Sequence, residues 1–304
     1  MIDAENLTKK FGDLTAVEDL TLRVDEGEVF GFLGPNGAGK TTTIRMLGCL
    51  ISKTSGTAKI GEYEIGNRAD QEKIRRIIGL LPENVGLYEE LSAYKNLDFY
   101  GRFYNMPEGQ RRERIEYFLK MLELWEKRDV PAGTFSKGMK QKLAIARALI
   151  HDPQVLFLDE PTANLDPEAS KMVRDFILDL KKEKRTIFLN THLLDEAERI
   201  CDRVGILKTK LVAVGTPEKL RQSLWRKKTV AELETVNDAI VAAVKKVASG
   251  AVEVAGNKLI IDVNDPKKEN PQIVDAIESA GGRVQSISMA SQTLEDIYLK
   301  LVRS

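Results

Sequence analysis

The stretch that most constrains this chain runs from Glu28 to Leu50. Glu28-Val29-Phe30-Gly31-Phe32-Leu33 reads as a buried strand. It leads into Gly34-Pro35-Asn36-Gly37-Ala38-Gly39-Lys40-Thr41, which fits the pattern G-x-x-x-x-G-K-[ST], and then into a helix expected from about Thr41 to Leu50 that includes Thr42. The order strand, glycine loop, helix is the context in which this pattern acts. Glycines let successive backbone N–H groups converge on a phosphate that side chains would obstruct. The helix N-terminus adds the positive end of its dipole. Lys40 is placed to reach the β- and γ-phosphates of a nucleotide, and the Thr41 hydroxyl to ligate Mg²⁺.

A second constellation lies about 120 residues on. Val155–Leu158 is an apolar strand ending in Asp159-Glu160, and Thr186–Leu189 is another, with a helix from Glu168 to Lys181 between them. Two such strands joined by a helix imply a βαβ unit and a parallel sheet, whose ligands sit at the carboxyl ends of the strands. Asp159 is then placed to hold Mg²⁺, directly or through water, and Glu160 to polarise an attacking water. An apolar run followed by Asp-Glu is common, and it gains meaning here only beside the phosphate loop.

His192 follows the second strand, where it can contact a γ-phosphate or be merely structural. Ser136-Lys137-Gly138-Met139-Lys140-Gln141 opens a further helix and offers a hydroxyl, an unobstructed backbone and free N–H groups. These residues fit either a second anion site or an ordinary serine N-cap, and on physics alone the cap is favoured. Phe11, in the early β region, can stack on a base or serve the core.

Residues 1–24 alternate apolar and polar, as in Leu20-Thr21-Leu22-Arg23-Val24, which predicts antiparallel strands with one wet face. Ile77–Leu81 is a short strand stopped by Pro82. Helical periodicity over 92–104, 108–125 and 140–150, with Pro107 at a first helical position, predicts a helical insert over about 84–150. The charged stretch 221–228 reads as a linker. Beyond it the pattern predicts strand 229–234, helix 236–247, strand 251–255, strand 258–263, helix 269–280, strand 283–288 and helix 293–302. That is a βαββαβ unit with one extra helix, turned at Gly256-Asn257. The expected domains are therefore 1–220, a linker over 221–228, and 229–304.

Composition narrows the function. The chain has 304 residues, room for about two domains. Lys+Arg and Asp+Glu number 46 each, for a net charge of zero, which excludes a globally basic nucleic-acid binder. Apolar residues at 42% suffice for a sizeable core. Two cysteines, Cys49 and Cys201, exclude a disulfide framework and favour a reducing cytoplasm. No apolar stretch approaches the ~20 residues that span a bilayer. The acidic start, Met1-Ile2-Asp3-Ala4-Glu5-Asn6, lacks the character of a signal peptide.

In this order the motifs of residues 1 to about 220 resemble the nucleotide-binding subunit of ATP-binding cassette (ABC) transporters. The phosphate loop and the Asp-Glu strand are similar to the family's two Walker motifs. Phe135-Ser136-Lys137-Gly138-Met139 resembles its signature, usually Leu-Ser-Gly-Gly-Gln, with Lys137 and Met139 departing from it. Ala163-Asn164-Leu165-Asp166 resembles the loop that crosses the dimer interface, His192 the switch histidine, and Phe11 the aromatic that stacks on adenine. Glu83 stands where the family usually has Gln; it keeps an oxygen ligand for the metal, adds a charge and loses the amide donor. Glu83, Gly86-Leu87-Tyr88, Leu91-Ser92 and the Ser-Lys-Gly-Met-Lys-Gln signature are similar to a subgroup paired with export-type (ABC-2 type) permeases. The small domain after 228 resembles that subgroup's accessory domains in pattern.

The resemblance implies an α/β cassette with an antiparallel β subdomain and a helical insert, plus a small ferredoxin-like α+β domain. It implies an ATPase with ATP and Mg²⁺ as cofactors, dimerising head to tail around two ATP molecules. Each ATP would lie between one copy's phosphate loop and the other's Ser136, Lys137, Gly138 and Met139, with Asp166 at the interface. The implied partners are a second cassette and an integral membrane permease, not nucleic acid, and the place is the cytoplasmic face of the membrane. The alternative is a soluble cassette ATPase of translation or DNA repair. Against it stand the single phosphate loop, the lack of a sustained heptad run and the absence of a basic footprint. A cassette that binds ATP without turnover is disfavoured by Glu160.

Overall fold

The computed structural model describes residues 1–163, 165–224, 227–289 and 294–303. These fall into two compact units, Met1–Pro217 with Tyr298–Ser304, and Glu218–Ile297.

In the larger unit, β1 (Ile2–Phe11) and β2 (Leu14–Val24) pair antiparallel. Leu20, Leu22 and Val24 are buried while Thr21 and Arg23 are exposed, as the alternation requires. β3 (Val29–Leu33) is buried throughout and feeds the loop that opens α1 (Lys40–Leu47). Next come β4 (Ser55–Ile60), β5 (Tyr63–Glu64), α2 (Arg68–Ile77) and β6 (Ile78–Leu81). The insert holds α3 (Ala93–Phe103), α4 (Glu108–Met121) and α5 (Lys137–Leu149). The βαβ unit is β7 (Val155–Asp159), α6 (Pro167–Lys182) and β8 (Thr186–Asn190). It is followed by α7 (Leu194–Ile200), β9 (Arg203–Lys208) and β10 (Lys210–Gly215), and α8 (Pro217–Leu224) then opens the smaller unit.

Two sheets result. One is antiparallel, in the order β2-β1-β4-β5. The other runs β10-β9-β3-β8-β7-β6, parallel except for β10. Phe30, Phe32, Phe157 and Phe188 fill the space between them, with Phe188 at 5.1, 5.6 and 5.7 Å from the rings of Phe32, Phe30 and Phe157. Because β3, β8, β7 and β6 are consecutive neighbours, the chain segments leaving their carboxyl ends meet along one edge. That edge receives residues 34–40, 190–192, 159–160 and 82–83.

The smaller unit follows the order β11 (Lys227–Leu233), α9 (Asp238–Val247), β12 (Val252–Ala255), β13 (Lys258–Val263), α10 (Pro266–Ser279), β14 (Val284–Met289) and α11 (Leu294–Arg303). Of α11, residues 294–297 belong to this unit and the residues from Tyr298 on to the larger one. The smaller unit's antiparallel sheet, β12-β13-β11-β14, has the split βαβ arrangement of a ferredoxin-like unit. Ala231, Leu233, Leu259 and Ile261 pack there on Ile240, Val244, Ile273 and Ile277.

Several sequence expectations are corrected. Of the expected linker 221–228, residues 221–224 belong to α8 and Lys227-Lys228 to β11; Trp225 and Arg226 lie outside the described residues. The main segment of the larger unit runs to Pro217, and Tyr298–Ser304 groups with it, whereas the sequence expectation places 229–304 in one domain. Ile77 closes a helix, and the strand starts at Ile78. Pro107 is the N-cap of α4 rather than its first helical residue. α4 stops at Met121, and Trp125–Lys127 forms a separate 3₁₀ turn. α5 begins at Lys137, not 140, because the Ser136 side chain caps it by accepting from the Met139 N–H at 3.2 Å. α10 begins at Pro266, capped by Asp265, three residues earlier than the pattern predicts. Thr293, the expected start of the last helix, lies outside the described residues. Among the described residues no helix is long and apolar enough to cross a membrane.

His151 ties the insert to the sheet. A ring nitrogen lies 2.8 Å from the Ile78 carbonyl, and Tyr104 stacks on the ring at 3.7 Å and 5°. Burial pushes the imidazole from 6.5 down to about 4, opposed by the Ile78 carbonyl and helped by Arg114. The folded protein therefore holds His151 neutral where the unfolded chain binds a proton. This contribution is complete above about pH 6.5 and is lost as the pH falls toward 4, up to about 3 kcal/mol. Urea unfolding at pH 7 and 4.5 is expected to show His151→Phe losing less stability on acidification than the parent. Identical losses would contradict the assignment.

Candidate functional site

The loop between β3 and α1 is held in a conformation only glycine permits at its key points. Gly39 has φ +101°, and a Cβ there would lie 2.2 Å from the Ala16 carbonyl oxygen. A Cβ on Gly34 would lie 2.4 Å from the Leu207 carbonyl oxygen. Both obstacles are backbone and cannot yield cheaply. The Lys40 ammonium turns back into the loop and donates to the carbonyls of Gly34 at 2.6 Å and Pro35 at 3.1 Å. Burial pushes its pKa down, while Glu160, Asp159 and Glu83 pull it back up.

A cavity of about 620 Å³ opens over this loop. Asn36, Gly37, Ala38, Gly39, Lys40, Thr41 and Thr42 line one side, and Glu83, Asp159, Glu160 and His192 the other. Phe11, half exposed, stands at the margin with Leu14 and Ala16, and the Lys9 ammonium lies 4.8 Å from its ring centre. Gly34 and Pro35 serve the site through the carbonyls that hold Lys40.

Asp159 is the last residue of β7 and is buried. Burial raises its pKa, hydrogen bonds from Thr41 and Asn190 lower it, and the charges of Glu160 and Glu83 raise it again. Glu160 departs from the strand with φ +52°. Its N–H donates to the Asn190 carbonyl at 2.9 Å, and its Oε2 lies 2.8 Å from His192 Nδ1. Three carboxylates thus face one ammonium, a donor set that suits a divalent cation. Next to it, Asn190 donates through Nδ2 to Asp159, while its Oδ1 is buried without a partner among the described residues. Sequence reasoning missed Asn190; its signal was its place as last residue of the strand before His192.

The signature residues are elsewhere. Ser136, Gly138 and Met139 line a separate open groove of about 470 Å³ with Asp166, Glu168 and Lys171. Lys137 is exposed at the same helix start. Asp166 caps α6, accepting from the Ala169 N–H at 2.8 Å. Ala163 lines the first cavity and Asp166 the second; Asn164 lies outside the described residues.

Comparison with known proteins agrees with this geometry. Over 307 residues the chain is 33% identical to the linearmycin resistance ATP-binding protein LnrL of Bacillus subtilis (strain 168), covering 99% of this chain and 98% of that one. The chain belongs to the ATP-binding proteins of ABC transporters. Residues 17–163 of this ABC protein match the ABC transporter family, and residues 215–302 match the C-terminal domain of DrrA1-3-like ATP-binding proteins. It is 34% identical over 306 residues to Nod factor export ATP-binding protein I of Cupriavidus metallidurans, covering 99% and 97% of the two chains. A dimeric ATP-binding cassette in a post-hydrolysis state bound to ADP and Pi superposes with a TM-score of 0.66 at 29% identity, covering 71% of this chain and 98% of that one. This ABC protein therefore binds and hydrolyses ATP.

The backbone clash at Gly39 carries a direct test. Gly39→Ala forces a left-handed φ on alanine, a strain of about 1–3 kcal/mol, and drives its Cβ against a carbonyl. ATP affinity in a fluorescent-nucleotide titration is expected to fall at least about tenfold. Unchanged affinity would contradict the loop conformation.

Proposed function

We propose that this protein is the ATP-hydrolysing subunit of a multisubunit export transporter, acting as a head-to-tail pair around two ATP molecules. One observation carries the reading. The phosphate-loop cavity and the Ser136/Gly138 corner lie in different parts of the same chain, and the corner offers helix N–H groups that its own site never uses. A second copy turned head to tail brings that corner to the open side of the first copy's ATP. Lys137 and Met139 flank the contact, and Asp166 lies at the seam.

Within each site the assignments follow the geometry. Phe11 offers its free ring face to the base. The N–H groups of residues 34–42 and the Lys40 ammonium hold the phosphates. Thr41, Asp159 and Glu83 would hold Mg²⁺, whose charge neutralises the phosphate oxygens, and the orphan Asn190 Oδ1 can accept from its water shell. Glu160 orients and polarises water for attack on the γ-phosphate, and its contact with Nδ1 fixes the His192 ring toward that phosphate. Loss of the γ-phosphate removes the anion that joins the two copies, so the pair opens.

Export is favoured by the relatives, one a Nod factor export protein and one a linearmycin resistance protein, each matched over nearly its whole length. The same relatives favour a membrane permease as partner, at the cytoplasmic face, over a soluble role in translation or repair. Glu83 and the exposed rings of Tyr88, Phe99 and Phe103 on the insert form a suitable place for that partner.

Two variants test the assignment. Lys40→Ala is expected to weaken ATP binding; isothermal titration giving the parent's affinity would remove Lys40 from the phosphates. Glu160→Gln is expected to keep ATP binding while turnover falls by about a hundredfold or more and an ATP-dependent dimer accumulates. Phosphate release at the parental rate would remove Glu160 from the reaction.

A further inference from the structure

Glu160 sits in a left-handed backbone conformation, φ +52°, that a non-glycine residue holds only when its surroundings enforce it. On its upstream side the strand register and the Asn190 carbonyl fix it. Downstream, two buried side chains hold the next two residues. Gln141 Nε2 donates to the Pro161 carbonyl at 2.7 Å. The Thr162 hydroxyl donates to Glu196, whose other oxygen accepts from Arg174 Nη1 at 2.6 Å. Gln141, Thr162 and Glu196 are 8%, 3% and 9% exposed, so these are bonds without competing water.

Gln141 belongs to α5, the helix that Ser136 caps. They are five positions apart, about 7.5 Å along the axis. A single hydrogen bond therefore connects the helix start proposed to touch the partner's ATP with the backbone next to the residue proposed to activate water in this chain's own site. We propose that Gln141 is a positioning residue: through the Pro161 carbonyl it sets Glu160 according to where α5 sits, and so links the two ATP sites of the pair. A shift of α5 toward a partner's ATP moves Gln141 with it, and Pro161 follows. Glu196 and Arg174 supply the fixed anchor against which that displacement turns Glu160. The inference rests on the roles proposed above for Ser136, Gly138 and Glu160.

Gln141→Met keeps the length and helix preference of the side chain and removes the donor. In the full-length protein its kcat for ATP hydrolysis is expected to fall about tenfold or more, with ATP affinity within about twofold of the parent. In a Glu160→Gln background the same change is expected to have no further effect on the single-turnover rate, since the group it positions is gone. Should Gln141→Met not remain folded, Thr162→Val breaks the side-chain bond that anchors the next residue to Glu196 and is expected to give the same pattern. A parental kcat in Gln141→Met, measured beside an inactive Glu160→Gln, overturns this inference and leaves the proposed function standing. So does a kcat loss matched by an equal loss of affinity, or a full further loss in the Glu160→Gln background. Parental turnover by Glu160→Gln itself overturns the underlying reading.

Discussion

A buried ammonium set against three carboxylates is the interaction around which the larger unit is arranged. Lys40 is 7% exposed, and Glu160, Asp159 and Glu83 all act on it. The carboxylates outnumber the cation, so a triphosphate alone would add repulsion in a place where charges are poorly screened. Backbone N–H groups, with a divalent cation as proposed, would supply the missing positive charge. Burial raises the pKa of Asp159, and the charges of Glu160 and Glu83 add a smaller push in the same direction.

That cluster exists because of strand order. β3, β8, β7 and β6 are adjacent and parallel, so their carboxyl ends deliver Lys40, His192, Asp159 with Glu160, and Glu83 to one edge. The rings of Phe30, Phe32, Phe157 and Phe188 lock those strands from beneath. Residues far apart in sequence thus meet with little freedom, as preorganised catalysis requires.

Much of this was legible in the sequence because the decisive signals are local. The glycine loop, the apolar strand ending in Asp159-Glu160 and the serine at 136 each announce themselves within a few residues. What was hidden depends on tertiary context. α2 is a strongly polar helix with only Ile74 buried, so it leaves a faint apolar trace. β9 and β10 pass unremarked because one is buried and short and the other is an edge strand. The charges at 221–228 read as a linker although they belong mostly to a helix and a strand, since composition alone does not report hydrogen bonding. Gln141 and Glu196 gain meaning only when folding brings them to Pro161 and Thr162.

The central claim is that each site is built from two chains. Mixing two inactive variants tests it most directly: Lys40→Ala, which spoils the phosphate loop, and Gly138→Glu, which spoils the corner offered to a neighbour. In a head-to-tail pair of one of each, one site carries both lesions and the other carries none. The account requires that the mixture hydrolyse ATP although neither variant does so alone. A mixture as inactive as its components would contradict it.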